Sequence, residues 1–316
     1  DIGENFSGSL TAALVREDGA DKIELEEAYV ESLEGGFLDN TFFKFGRAFW
    51  NVGALNTQHA HADDFADRPL PYRVFLNKAY NDDGLEVSYL LASSEIGIGY
   101  FRGEDFPFGN TAGSEGDGSN AWSAFYKSTI NLSNSEELSF NLYHLAGISK
   151  SPNARVSNED TVTFSGDSDL SIVSFDYQNS YGSGSKFKIS AEYFYRNQVG
   201  TFADSEASTG AITFDDSDSG YYLALVNKFN EHLSIGARYG KLMAADTPSA
   251  LVGSMLDSGG NDPDSYSIMA DWNFDSSAIM RLQINHEEPQ PNVVDNQIIF
   301  QYVMYLGSGG HDSHDH

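Results

Sequence analysis

The stretch KFKISAEYFYR, residues 186–196, decides the predicted fold, because its residues alternate between two chemical types. Lys188, Glu192 and Arg196 belong to a mostly charged or polar set. The residues between them are apolar or aromatic: Phe187, Ile189, Ala191, Tyr193 and Tyr195. Since successive side chains of a β-strand point to opposite faces, the pattern predicts a strand with one apolar and one polar face.

The same alternation recurs in HLSIGARYGK (232–241), SYSIMADWNF (265–274) and AIMRLQIN (278–285). A soluble sandwich turns its apolar face inward, whereas a membrane barrel turns it toward lipid. Three features favour the barrel. The apolar faces often end in Tyr, Trp or Phe, the polar faces carry charges in mid-strand, and short connections alternate with long ones. We therefore expect an all-β fold, a transmembrane antiparallel β-barrel in a Gram-negative outer membrane.

The number of strands follows from pairing them backward from the C-terminal end. Fourteen strands leave both termini on the periplasmic side, as in bacterial barrels with an even strand number. The predicted strands are 6–16, 22–32, 41–50, 84–92, 95–102, 121–131, 137–148, 169–178, 186–197, 219–227, 232–242, 265–274, 278–286 and 296–306. Turns between the pairs are then short and periplasmic. Long outer loops are predicted at 103–119, 150–168, 198–218, 244–264 and 286–295.

Residues 51–83 form an outer-side loop in this scheme and contain NTQHAHADDFADRPLPYRVFLNKAYNDD (56–83). Treating RVFLNKAY (73–80) as a strand would give an odd number, so we expect a short helix there. Phe65, Leu70 and Phe75 would be exposed if the loop stood out in solvent, which favours a loop folded into the barrel. The predicted organisation is a barrel over 1–306, with loop 51–83 turned inward, and a His- and Asp-rich tail over 307–316.

The net charge is −29, from 47 acidic and 18 basic residues. Nucleic acid is therefore not an expected partner, because phosphates need a basic surface. Small cations, outer-membrane lipid and lipopolysaccharide are the expected partners, and the sequence leaves the oligomeric state open. The sequence has no run of about 18 apolar residues, so we expect no transmembrane helix. The sequence contains no GxSxG, HExxH or P-loop motif, so we expect no enzyme.

Charged residues on the polar strand faces, and polar residues of the loop, are candidates for lining the pore. For any single residue the alternative is pairing across strands that only hydrates the lumen. Together, mixed charges in a barrel favour polar or ionic solutes over apolar ones. The candidates for the pore and its constriction are His59, His61, Asp63, Asp64, Glu86, Asp176, Glu192, Arg196, Arg238, Asp271 and Arg281.

Two groups of histidines are candidate metal ligands. His59 and His61 lie beside Asp63 and Asp64, and imidazole with carboxylate suits Zn²⁺ and similar ions. The tail adds His311, His314 and His316. The alternative is an ordinary polar loop, and no bound cofactor is required. Acidic stretches in the predicted outer loops offer hard oxygen ligands for Ca²⁺ or Mg²⁺ shared with lipopolysaccharide.

The region 41–93 resembles the zinc-regulated outer-membrane proteins of Gram-negative bacteria. The resemblance rests on a Gly-Arg-x-Phe motif followed by His-x-His, Asp-x-Pro-Leu and Asp-Asp-Gly. The matching residues are Gly46, Arg47, Phe49, Gly53, Asn56, His59, His61, Asp64, Phe65, Asp67, Pro69, Leu70, Asp82, Asp83 and Gly84. The C-terminal QYVMYLGSGGHDSHDH is similar to the ending of that family. The resemblance implies a porin-like barrel with zinc as cargo.

The expected function is passive diffusion of small polar solutes, with a preference for cations that includes zinc or other divalent transition metals. The alternative is a non-conducting outer-membrane barrel. Its acidic loops would engage divalent cations, lipopolysaccharide or a partner protein.

Overall fold

The computed structural model describes residues 5–17, 20–33, 38–109, 120–156, 161–204, 210–253, 257–275, 278–290 and 292–304. Within these ranges fourteen strands follow one another in chain order, each antiparallel to the next. They are β1 (Phe6–Glu17), β2 (Ala20–Ser32), β3 (Thr41–Phe49), β4 (Asn81–Leu91), β5 (Ser94–Phe101), β6 (Ala121–Asn131), β7 (Glu136–Val156), β8 (Thr161–Gly182), β9 (Ser185–Asp204), β10 (Ile212–Lys228), β11 (Leu233–Met243), β12 (Asp264–Asp275), β13 (Ala278–Gln290) and β14 (Val293–Met304). The predicted fourteen-stranded antiparallel sheet is confirmed.

The connection between β3 and β4, residues 50–80, is here named the lumen segment. It holds a 3-10 turn at Ala60–Ala62 and one short α-helix, α1 (Leu70–Phe75). The predicted helix within 73–80 therefore exists but begins earlier, because Pro69 precedes Leu70 and Pro71 fits the first helical turn. Among the described residues, no helix is long and apolar enough to cross a membrane.

Three predicted outer loops are wrong in extent. Residues 286–295 fall mostly in β13 and β14, which end at Gln290 and begin at Val293, respectively. Residues 150–168 and 198–218 lie largely in strands, since β7 and β8 run for 21 and 22 residues and β9 for 20. About 9–11 residues suffice for a strand to cross the membrane. About half of each of these strands therefore extends beyond the membrane as a β-hairpin.

The sheet curves around the lumen segment. His59 contacts Glu27 of β2, while Asp67 contacts Gln283 of β13. In a flat sheet, strands eleven positions apart would be separated by about 50 Å. Eight residues span at most about 29 Å when fully extended. The sheet must therefore bring β2 and β13 toward each other, as in a barrel.

The two faces of the sheet have the burial pattern of a membrane barrel. On β13, Leu282 and Ile284 are 47% and 54% exposed, whereas Gln283 and Asn285 are fully buried. A soluble protein would bury the first pair and expose the second. The apolar outer face therefore suits lipid, and the polar inner face meets the lumen segment.

The sheet does not close in the structure. Strand order runs from β1 to β14, and no pairing joins these two strands within the described residues. Ile298 and Phe300 of β14 are 77% and 66% exposed. The edges of the sheet are therefore β1 and β14.

Candidate functional site in the barrel lumen

The first and last residues of the lumen segment, Trp50 and Tyr80, are joined by hydrogen bonds to the Asn56 side chain. Its side-chain amide donates to the carbonyls of Trp50 at 2.8 Å and Tyr80 at 2.9 Å. Its side-chain oxygen accepts from the Tyr80 backbone N–H at 2.7 Å. All three residues are fully buried. Asn56 thus satisfies backbone groups that no strand partner reaches, and it fixes both ends of the segment.

Aromatic residues of α1 attach the segment to the wall formed by β9 and β10. The Tyr72 ring packs edge-on against Phe194 with centroids 5.0 Å apart, and Phe75 stacks on the same ring at 5.9 Å. Tyr222 lies 6.3 Å from Tyr72. These rings are buried within the main apolar cluster. The predicted inward-facing apolar residues therefore have a wall to pack against.

Asp67 is the main polar anchor of the segment. Arg238 of β11 donates to its backbone carbonyl at 2.6 Å and to its carboxylate at 2.7 Å. The side-chain amides of Gln283 and Asn285 donate to the same carboxylate at 2.5 and 3.2 Å. The backbone N–H of Ala66 donates to Gln283 at 2.7 Å. Two strands therefore hold one short stretch of the segment.

His59 attaches the segment to β2 on the other side. Its Nε2 lies 2.9 Å from Glu27 and its Nδ1 lies 3.5 Å from Glu26. Adjacent strand residues normally point to opposite faces, but the register with β1 passes from Thr11–Glu27 to Ala12–Leu25, which leaves Glu26 as a β-bulge. The hydrogen bond with Glu27 raises the pKa of His59, although burial opposes the shift. The imidazolium form therefore strengthens this anchor.

The carboxylates of Asp63 and Asp64 pair with different basic side chains. The Asp63 carboxylate is 2.8 Å from Arg68 Nε, and both side chains are almost fully buried. Burial raises the pKa of Asp63 to about 7, against the effect of Arg68. Asp64 is half exposed and accepts from Lys188 of β9 at 3.1 Å. Both carboxylates are therefore engaged within the protein, and neither is free for an ion.

The predicted metal site of His59, His61, Asp63 and Asp64 is therefore not assembled. His61 stacks on His59, with ring centroids 5.5 Å apart. Within the described residues, no three or more His, Asp or Glu side chains are grouped so as to hold a metal. The physical reason is that Arg68 and Lys188 engage the two aspartates. His311, His314 and His316 lie outside the described residues.

The remaining predicted pore residues form pairs within the lumen. Glu86 accepts from Asn51 of the lumen segment at 2.5 Å, and Asp176 accepts from Ser174 at 3.2 Å. Glu192, 2% exposed, accepts from the Ala54 N–H at 2.9 Å and from Tyr222 at 2.7 Å. Two ion pairs lie within the wall itself, Arg196–Asp218 and Arg281–Asp271.

Sequence reasoning missed Asn56, Arg68 and Arg73 as anchors. Arg73 binds Glu287 of β13 through two hydrogen bonds. A signal was present, since Arg68 and Arg73 flank the apolar turn Pro69–Tyr72. Cations beside buried apolar residues need carboxylate partners. Arg68 pairs with nearby Asp63, but the partner of Arg73 lies 214 positions along the chain, so local sequence does not reveal it.

The chain matches no family model. A protein of Aquifex aeolicus (strain VF5) described as uncharacterized is 26% identical to it over an alignment of 326 residues. The alignment covers 94% of this chain and 64% of that protein. The chain therefore spans less than two thirds of the relative's length, and the resemblance to zinc-regulated proteins stays a prediction.

Solved outer-membrane proteins share the fold at low sequence identity. The outer membrane channel DcaP of Acinetobacter baumannii is similar with a TM-score of 0.59 and 11% identity, over 96% of this chain and 82% of that one. In-vitro folded OmpT of Vibrio cholerae has a TM-score of 0.57 and 13% identity, and the alignment covers 96% of this chain and 86% of that one. OprB of Pseudomonas putida has a TM-score of 0.56 and 11% identity, and the alignment covers 89% of this chain and 72% of that one.

The chain therefore shares the fold of these outer-membrane β-barrels, and its exposed apolar face suits lipid. At such identities the likeness establishes the architecture alone. The lumen segment and its anchors define the candidate site, and its activity has to be argued from this chain's own residues.

Proposed function

We propose that the chain is an outer-membrane channel for passive diffusion of small polar solutes, with the lumen segment as its constriction. One observation carries the proposal. A single segment reaches from β2 through His59 to β11 and β13 through Asp67, so it crosses the space that the sheet encloses. A protein described as an outer membrane channel has the same fold.

Charge supports a preference for cations. The chain has a net charge of −29. Lumen cations are largely engaged by carboxylates, as in Arg238–Asp67 and Lys188–Asp64. Excess negative charge at the mouth attracts cations and repels anions, and salt screens this effect.

A transition metal such as zinc is the finer part of the proposal. His59 and His61, whose rings lie 5.5 Å apart, offer imidazole donors to a passing ion. Among the described residues these two donors are not part of a larger ligand group, which favours the brief contacts that conduction requires. No motif or residue pattern supports catalysis, and the proposal includes none.

Conductance of the purified protein in planar lipid bilayers tests the channel. We expect discrete current steps, and a reversal potential under a salt gradient that indicates cation selectivity and weakens as salt rises. Anion selectivity at low salt would contradict the cation preference. For zinc, flux into loaded vesicles should fall in a His59→Ala/His61→Ala variant, while Mg²⁺ flux serves as the control.

The alternative is a non-conducting barrel whose acidic loops engage divalent cations, lipopolysaccharide or a partner protein. The observation that favours it is the number of hydrogen bonds that fix the lumen segment to both walls. Absence of current from correctly folded protein would support this alternative and contradict the channel.

A further inference from the structure

A cavity lies at the outer ends of the strands, beside the lumen segment. Its volume is about 170 Å³. Val74 and Phe75 of the lumen segment line one side, and Leu242 and Pro263 line another. Since a water molecule takes about 30 Å³ of liquid volume, the space suits a molecule with only a few non-hydrogen atoms. Its apolar walls favour a short hydrocarbon chain.

The cations around this outer cavity are each matched by a carboxylate. Arg196 binds Asp218, which lines the cavity, at 2.9 Å. Next to the lining residues, Arg73 pairs with Glu287 and Lys241 pairs with Asp262. In each of these three pairs the carboxylate neutralises the cation, so no excess positive charge remains to bind an anion.

Further acidic and polar groups are not matched by a cation. Asp257, which lines the cavity, accepts the backbone N–H groups of Gly253 at 2.7 Å and Gly259 at 2.9 Å. Beside Pro263, one carboxylate oxygen of Asp264 is buried without a hydrogen-bond partner among the described residues. The surroundings therefore carry excess negative charge and an unmet hydrogen-bond acceptor next to apolar walls.

We infer that the outer cavity binds small organic cations, in which an ammonium group is carried on a short apolar chain. The ammonium group neutralises the excess carboxylate charge at Asp257. The hydrocarbon chain removes the apolar surface of Val74, Phe75 and Leu242 from water. The inference deepens the proposed channel function, on which it rests, by naming the solute class that the outer mouth retains.

Three probes of nearly equal size separate charge from shape: butylammonium, 1-butanol and butyrate. Binding to detergent-purified protein is measured by titration calorimetry at low salt. We expect butylammonium to bind up to about five-fold more tightly than 1-butanol, since a partly exposed ion pair contributes up to about 1 kcal/mol. Butyrate should bind most weakly, and added salt should reduce the preference for butylammonium.

Two variants alter the outer cavity in different ways. Asp257→Asn removes the charge while keeping an oxygen that accepts from a glycine N–H, so the preference for butylammonium should fall. Ser219→Phe fills the cavity without changing charge and should abolish binding of butylammonium and 1-butanol. Asp39→Asn removes an exposed carboxylate at the other end of the barrel and serves as the matched control.

Equal affinity for the three probes, or a butylammonium affinity unchanged in both variants, would overturn the inference. Folding of each variant is checked by the shift in electrophoretic mobility on heating. The measurement needs no conduction. Binding without current would therefore contradict only the channel, and current without binding would contradict only the cation cavity.

Discussion

Replacing Asp67 by Asn is expected to undock the lumen segment from the β11–β13 wall. The carboxylate accepts from Arg238, Gln283 and Asn285. An asparagine side chain has one oxygen and one amide group, so at least one donor would face another donor. The substitution preserves side-chain volume, which isolates the loss of charge and of acceptors.

The expected cost follows from the burial of the pair. Arg238 is 5% exposed. Removing one member of a buried ion pair costs roughly 3–5 kcal/mol, because the other charge is left uncompensated. Arg238 keeps its bond to the Asp67 carbonyl, so we take the lower end, about 3 kcal/mol. This corresponds to roughly a hundred-fold shift toward the undocked segment.

Trypsin digestion measures this equilibrium, because trypsin cleaves after Arg and Lys, and Arg73 and Lys78 lie within the lumen segment. When opening is fast relative to cleavage, the cleavage rate follows the population of the open form. We expect cleavage after these two residues, identified by fragment mass, to accelerate by about the same factor. Bilayer current should rise or fluctuate more.

Asp39→Asn, on the periplasmic side, again provides the charge-matched control. If Asp67→Asn is cut after Arg73 and Lys78 no faster than the control, then Asp67 does not anchor the segment. That result would refute the reasoning even if the current changed.

Three further perturbations test other contacts. The pKa of His59 is raised in the docked state, so its charge stabilises docking fully below pH 6.5. This stabilisation is lost as pH rises through the raised pKa, and trypsin cleavage of the segment should therefore accelerate with pH. Ionisation of buried Asp63 near pH 7 acts in the same direction, so His59→Gln should flatten the pH profile only in part; a profile identical to wild type would contradict the anchor. Gly46→Ala should prevent folding, seen as loss of the heat-dependent mobility shift, because φ is +129° and a Cβ would lie 2.2 Å from the Ala28 carbonyl oxygen. Glu192→Leu leaves two buried donors unmet and should lower the free energy of unfolding by about 2–5 kcal/mol, measured in urea; an unchanged midpoint would argue against its role.

The sequence predicts the strands well where lipid imposes alternation. In SYSIMADWNF each outward residue must be apolar, so Tyr266–Phe274 can be recognised by eye. In the extended parts of β7–β10 the outward face meets water, and stretches such as SNEDTVTFSGDSD (157–169) show no such alternation. The described part of this stretch nevertheless belongs to β8. Strand ends beyond the membrane were therefore misplaced.

The inward turn of the lumen segment could be predicted, but its contacts could not. Apolar residues such as Phe75 indicate burial without specifying a wall. The anchors join residues that are distant in sequence, such as Arg238 with Asp67 and Glu192 with Ala54. Residues predicted to line a watery lumen instead hold the segment, because an inward loop brings its own charges to theirs.

The anchors of the lumen segment also constrain the order in which the barrel assembles. Ala66 and Arg73 bind residues 217 and 214 positions later in the chain, on β13. These contacts form only after nearly the whole sheet exists, and contacts of such separation form slowly. The segment is thus synthesised well before the strands that it binds, and it is among the last parts to dock. Until then its aromatic helix stays solvated or needs another protein to shield it, so we expect an open barrel to precede the constricted one during insertion.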